Sequence, residues 1–269
     1  MLPVPEPFAS VFALALGLIL GSFLNVCIYR LPLGDSVVRP RSRCPKCKSP
    51  IPWYDNLPVL SWFVLRGKCR DCSTAISWRY PFVEAVAGMT VLLLWRWFGT
   101  TAAFPIAALF ALALVVLFFT DYDHQLLPDA VTLTGVGVGL AVAWFNPFLG
   151  QSEGWARIWS AGAGAMLGSG VLWAVGAVYG KLRGVEAMGM GDVKMMAMVG
   201  AFAGPAGVLF TIFAASFAGA VIGLLMIPLG GRSLQDKLPF GCFLAPAALA
   251  SILFGRSAID VYFDFLRTF

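Results

Sequence analysis

TDYDHQLLPD, residues Thr120 to Asp129, separates two apolar runs and decides how the chain is read. Upstream, residues 104–119 hold no charged side chain, and neither do residues 130–145 downstream. The ten residues between hold three aspartates, a proline and the only histidine of the protein. Ionisable groups beside membrane-length apolar segments are costly to hold and mark a functional site by default.

Composition agrees with a membrane setting. The 269 residues are 59% hydrophobic and 12% charged, with mean hydropathy +0.82. Soluble domains average about 45–50% apolar and about 25% charged. Several runs approach the roughly 20 apolar residues that a spanning helix needs. The expected fold is therefore all-α and polytopic, with about eight transmembrane helices. The spans are expected at 8–29, 81–98, 102–119, 130–145, 157–179, a short helix from 195 to a tight turn at Gly204-Pro205, a helix from there to 229, and 240–254. No sequence repeat of fixed period is evident.

Residues 1–8 carry no Lys or Arg, so the first run lacks the basic start of a secretory signal. It reads as a retained helix with the N-terminus outside. Of 19 Lys and Arg, ten lie between Arg30 and Arg79, three in residues 181–194 and two in residues 230–239. Alternation puts these 15 on one face, which the positive-inside rule makes cytoplasmic. The C-terminus then lies outside. Loop orientation accounts for the basic segment, so no nucleic-acid partner is expected.

The polar loop at residues 31–80 carries Cys44-Pro45-Lys46-Cys47 and Cys69-Arg70-Asp71-Cys72. Two such pairs have the spacing of a four-thiolate zinc site. Four Cys ligands leave no position open to water, which makes the expected ion structural. Disulfides or free thiols are the alternative, and a reducing cytoplasm disfavours the disulfides. Cys27 and Cys242 fall in apolar runs and read as buried small residues.

Asp121 is expected directly after the third helix. Its expected partner is Asp192, in Gly189-Met190-Gly191-Asp192-Val193-Lys194, at another cytoplasmic helix end. Two carboxylates in a partly dry site cannot both ionise easily and hold one proton between them. Such a pair supplies a general base and a general acid for peptide hydrolysis. Gly189 and Gly191 permit backbone geometry and close approach. The plainer reading makes these aspartates caps or solvated loop groups, and a proton-coupled transporter also uses intramembrane Asp. Asp129, after Pro128, reads as the N-cap of the fourth helix. Asp123 and His124 read as surroundings. Lys194 either tunes an aspartate or marks the inside. Glu84, expected in the first turn of the second helix, together with Arg79 and Asn25, supplies polarity near the cytoplasmic surface.

Taken together, the first-helix end GSFLNVCIYRLP, the two CxxC pairs, ISWRYPFVE (residues 76–84), DYDHQLLPD (121–129) and GMGDVK (189–194) resemble the bacterial type IV prepilin peptidases. The GMGD stretch is also similar to the GxGD motif of presenilin-type intramembrane proteases. The resemblance implies that Asp121 and Asp192 are the catalytic aspartates. It implies a prepilin or pseudopilin substrate with a short basic leader, cut at the cytoplasmic face of the inner membrane. It further implies N-methylation of the new amino terminus with S-adenosylmethionine. The expected division is an N-terminal part, residues 1–100, with the zinc loop and the methyl-transfer function, and a six-helix peptidase part, residues 101–269. Nothing reads as a strand followed by GxGxxG, so no nucleotide fold marks the methyl donor's site. Glu84, Arg79 and Asn25 are the candidates for it, from their polarity near the cytoplasmic surface. A transporter and a non-catalytic assembly protein are the rival functions.

Overall fold

The computed structural model describes residues 6–150, 154–184, 189–226 and 239–267, without side chains for residue 6 and residues 256–267. The expected loop at residues 230–238, with Arg232 and Lys237, and Met188 lie outside them. The long helices are α1 (Glu6–Arg30), α3 (Arg79–Phe98), α4 (Ala103–His124), α5 (Asp129–Val142), α6 (Trp155–Arg183), α7 (Met190–Met226) and α8 (Gly241–Arg267). A short α2 (Leu60–Val64) lies in the polar loop. Among the described residues no strand forms, only the isolated bridges Arg43–Pro50 and Lys68–Ala75. Among the described residues five helices are long and apolar enough to cross a membrane, and α5 and the apolar part of α8 are shorter. The protein is a polytopic helical membrane protein.

The chain forms two compact units, Met1–Val116 and Leu117–Phe269. In the first, α1 lies against α3 through small residues. A side chain at Gly17 would meet Gly88 Cα at 2.8 Å, and one at Gly21 would meet Glu84 Cα at 2.8 Å. Helices in a membrane gain little from apolar burial, so close backbone packing at small residues holds them together.

The second unit uses the same device between α6 and α7. A Cβ on Gly164 would lie 2.3 Å from the Gly200 carbonyl oxygen, and one on Gly168 2.3 Å from that of Met196. Gly168 also faces Val208 Cγ2 at 3.3 Å. Met196 and Val208 would stand about 18 Å apart along one straight helix. Both flank Gly168, so α7 doubles back between them. The reversal is at Gly204, whose φ of 69° suits glycine, followed by Pro205. The expected tight turn is therefore present. Just before this turn, buried Asn146 donates to the Phe202 carbonyl at 2.8 Å.

Four details differ from expectation. α4 continues five residues past Phe119, so Asp121 lies on the helix rather than after it. Polar residues ended the apolar run, but the helix ends only where Gln125 turns left-handed (φ 50°) and its N–H bonds the Asp121 carbonyl. α3 starts at Arg79, with Pro81 tolerated in its first turn, so Glu84 is in the second turn. α8 runs on to Arg267, well past residue 254, because loss of apolarity at Arg256 is not loss of helix. Lastly, the Cys loop does contain a repeat, at an offset of 25. Cys44 and Cys69 donate backbone N–H to Ser49 and Thr74, Lys48 and Ser73 both turn left-handed, and Ile51 and Ile76 donate to Ser42 and Gly67.

Replacing Gly164 by Leu should overpack the α6–α7 contact and cost about 3 kcal/mol of stability. Gly162→Leu, at a position that faces open space, should leave the detergent unfolding curve close to that of the wild type. Equal curves for the two variants would contradict the glycine contact.

Candidate active site and metal centre

Asp121 is buried, 5% exposed, two residues beyond the last Phe of α4's apolar run. Its Oδ2 accepts the backbone N–H of Cys242 at 3.0 Å. A side chain on Gly241 would meet that oxygen at 2.8 Å. The carboxylate thus sits on the open N-terminus of α8, where backbone N–H groups have no helical acceptor. Cys242 Sγ donates to the Phe118 carbonyl at 3.5 Å, tying the same turn back to α4.

Asp192 is half-buried in the first turn of α7, with its N–H on the Gly189 carbonyl at 3.1 Å. Gly189 faces the Asp192 carboxylate, and a side chain there would lie 3.7 Å from Oδ2. The charge of Asp121 acts on Asp192, and both act on Cys242. The two aspartates that the sequence singled out, 71 residues apart, therefore share one locality with the start of α8.

Two links hold this corner. A side chain on Gly191 would meet Leu127 Cβ at 3.0 Å, so the glycine lets α7 lie against the turn between α4 and α5. Lys194 Nζ grips Asp129 at 2.7 and 2.8 Å. This corrects the reading of Asp129: Pro128 is the N-cap position, Asp129 is the first helical residue, and its carboxylate makes no cap bond. Lys194 finds its counter-ion in Asp129. Asp123 and His124 are exposed on the last turn of α4, and the charge of Asp123 reaches Cys242.

Gly241 and Cys242 were missed by sequence reasoning as partners of Asp121. The only signal available was a glycine after Pro239-Phe240 at the start of the last apolar run.

The candidate metal centre belongs to the first unit. The four sulfurs of Cys44, Cys47, Cys69 and Cys72 lie within 4.8 Å of one another. Cys44–Cys72 and Cys47–Cys69 are 3.7 and 4.0 Å apart. A tetrahedral ion with metal–sulfur bonds of about 2.3 Å needs sulfurs about 3.8 Å apart, so the set fits a metal. The backbone N–H groups of Cys47 and Lys46 favour the Cys44 thiolate and the Thr74 hydroxyl draws Cys72 down to about 6, while burial and the neighbouring sulfurs push Cys69 up to about 11. Thiolates are the form that binds metal. Arg70, inside the second pair, donates Nε–H to Asp55 at 2.7 Å and stacks over Tyr54. Its hydrogen bond holds the Asp55 carboxyl below the usual carboxylate range.

Glu84 and Asn25 also belong to the first unit, and each has a backbone partner. Asn25 donates to the Tyr80 carbonyl at 3.0 Å. Buried Glu84 accepts the Val59 N–H at 2.7 Å and bonds the Ser22 side chain. The ion pair with Arg79 or a loop lysine that a lone glutamate suggests is not among these interactions. Val59 has φ 63°, a strained value for a β-branched residue, and the Glu84 bond helps hold it.

A helical membrane protein with paired aspartates at helix ends and a four-cysteine loop is the class that fold and site define. Residues 15–98 match the bacterial peptidase A24 N-terminal domain, and residues 108–224 match the type IV leader peptidase family. A prepilin leader peptidase/N-methyltransferase of Myxococcus xanthus is 41% identical over 84% of this chain and 66% of its own length. Proteins of the same name from Stutzerimonas stutzeri and Neisseria gonorrhoeae are 34% and 38% identical. The first alignment covers 97% of this chain and 96% of the relative, the second 86% and 87%. No solved structure matches the chain. The chain belongs to the type IV leader peptidase family.

The thiolate geometry carries its own test. Metal content of the purified protein should be about one ion per chain, falling to near zero in Cys44→Ser and Cys72→Ser. A full complement in either variant would place the ion elsewhere.

Proposed function

We propose that the protein removes the short basic leader of type IV prepilins and pseudopilins at the inner membrane and methylates the new amino terminus. The supporting observation is that Asp121 lies on the start of α8 and close enough to Asp192 for its charge to act there. In this reading the pair holds one proton. The ionised member takes a proton from water, the water oxygen attacks the scissile carbonyl carbon, and the protonated member gives its proton to the departing amine. Acid and base belong to the pair rather than to one named residue. The α8 backbone fixes one oxygen of Asp121 and so limits how the carboxylate can turn. Gly189, Gly191 and the Lys194–Asp129 pair are positioning residues for Asp192. Asp123 and His124 border the site. A transporter would need ionisable groups along the bilayer depth, whereas these carboxylates cluster at helix ends.

The reading continues to the whole chain. Eight spans arise if α5, the apolar part of α8 and each arm of α7 cross separately. The termini lie outside, and the aspartates and Cys loop lie in the cytoplasm, as the basic residues favour. Residues 1–100 serve methyl transfer and residues 101–269 proteolysis. The loop ion is zinc, closed to water and structural. S-adenosylmethionine supplies an electrophilic methyl group on sulfonium, and the chain's part is to bind it and present the freed amine.

With purified protein and a prepilin in detergent, Asp121→Asn and Asp192→Asn should each abolish leader cleavage, by about 10³-fold or more. Survival of cleavage in either variant would sink the dyad. Gly241→Ala pushes a methyl group at Asp121 Oδ2. Its kcat should fall by about 10²-fold with KM little changed, since a misplacement of about 1 Å costs that much.

A further inference from the structure

The reading of the protein as a methyltransferase leaves the donor without a site. We infer that S-adenosylmethionine binds in the cleft between the inner end of α1 and the polar loop, with its methionyl carboxylate at Arg41. The inference rests on the proposed methyl-transfer function.

The cleft has a volume of about 390 Å³. Sites for small molecules span about 300–1,000 Å³. Phe23 and Val26 of α1 and Leu57 and Pro58 of the loop give it an apolar body. Arg41 and Asn56 supply polar groups on its loop side. Arg30, also on the lining, is committed to structure: its guanidinium donates to the Ser36 and Pro40 carbonyls at 2.9 and 2.8 Å. That leaves exposed Arg41 as the lining cation with a guanidinium for a carboxylate, a pairing that favours two parallel hydrogen bonds.

Behind the same wall stands a buried acid. Ser22 lines the cleft and bonds Glu84, and Glu84 holds Val59, the residue after lining Pro58. When ionised, this acid favours a sulfonium cation in the cleft through its field. The cavity therefore combines an apolar body and a lining cation for an anionic end, with a buried acid behind one lining residue, Ser22. S-adenosylmethionine has the matching parts: a purine nucleoside, a carboxylate and a positive sulfur. The transfer itself balances simply. The freed amine, after losing a proton to water, forms a C–N bond to the methyl carbon. The C–S bond breaks with its electrons staying on sulfur, which becomes a neutral thioether.

The cleft also gives the metal a reason to be there. Its lining segment runs through Pro40, Arg41 and Ser42, and the Ser42 carbonyl accepts the Ile51 N–H at 2.9 Å across the first cysteine pair. A metal on Cys44 and Cys47 fixes this hairpin and with it the Arg41 side of the cleft.

The test is direct binding of radiolabelled S-adenosylmethionine to the full-length protein, with leader cleavage and methylation of a pre-cleaved pilin followed on the same preparations. Arg41→Glu reverses the cation, and Val38→Trp adds bulk at Val38, another residue that lines the cleft. Both should weaken binding by about tenfold or more and lower the ratio of methyl transfer to cleavage in step, while Arg41→Lys keeps partial binding. Metal content reports whether each variant is folded at the loop. Wild-type affinity in both folded variants overturns the placement and leaves the methyltransferase reading standing. A wild type that cleaves but neither binds the donor nor methylates overturns both. Binding in lipid-free detergent and in nanodiscs with anionic phospholipid separates the sources of an anionic ligand. Loss confined to the nanodiscs would make Arg41 a headgroup contact and overturn the placement.

Discussion

A carboxylate among apolar helices needs a donor, and Asp121 takes its donor from the backbone at the start of α8. The same N–H also reaches the Pro239 carbonyl at 3.3 Å, so the carboxylate shares a donor at the helix start. The first N–H groups of a helix have no acceptor within it, and in a membrane each unpaired group costs several kcal/mol. The carboxylate, buried at 5% exposure, needs the same kind of partner from the other side. The pairing fixes where α8 begins relative to the end of α4, and Gly241 has to be a glycine because the oxygen occupies the space of a Cβ. Asp192 then needs only to be delivered to the same corner, which Gly191 against Leu127 and Lys194 against Asp129 accomplish.

The two units solve the problem of stability in different ways. The membrane helices of the second unit hold each other by backbone contact at Gly164, Gly168 and Gly200, where apolar burial offers little. The loop of the first unit has too few buried apolar side chains to fold by a core. Trp53, Leu60, Phe63 and Val64 are all exposed. Its order comes instead from two matched turns that converge four thiolates, together with the Arg70–Asp55 bond and the Glu84 bond to Val59. A small polar segment of this kind commonly relies on a metal for its folding energy.

The features legible in the sequence were those carried by residue type. Apolar runs located the helices, four cysteines at the right spacing located the metal set, and the two aspartates stood out as ionisable groups at span ends. The turn at Gly204-Pro205 was legible because φ there demands glycine and proline cannot continue the helix. Hydropathy failed where a helix outlasts its apolar stretch: α4 past Phe119 and α8 past Phe254. Asp129 misled because a local cap and a distant ion pair look alike in sequence, and Lys194 lies 65 residues away. The 25-residue repeat escaped because its two copies share hydrogen bonds and turn conformations more than identities. Gly241 escaped because its constraint is an oxygen atom supplied from another helix.

The same distinction explains why the donor cleft has no motif. A nucleotide site built on a βαβ unit announces itself, since glycine spacing is forced by a phosphate seated on a helix N-terminus. S-adenosylmethionine has no phosphate, and this unit has no sheet among its described residues. Recognition of a carboxylate, a sulfonium and a purine requires only a cation, a nearby anion and an apolar wall. Those can come from α1, a loop and α3 without regular spacing. In this protein Arg41, Glu84 and Phe23 lie on three separate stretches. The turn that carries Cys44 and Cys47 on one side and the Gly21–Glu84 contact on the other fix what the sequence leaves scattered.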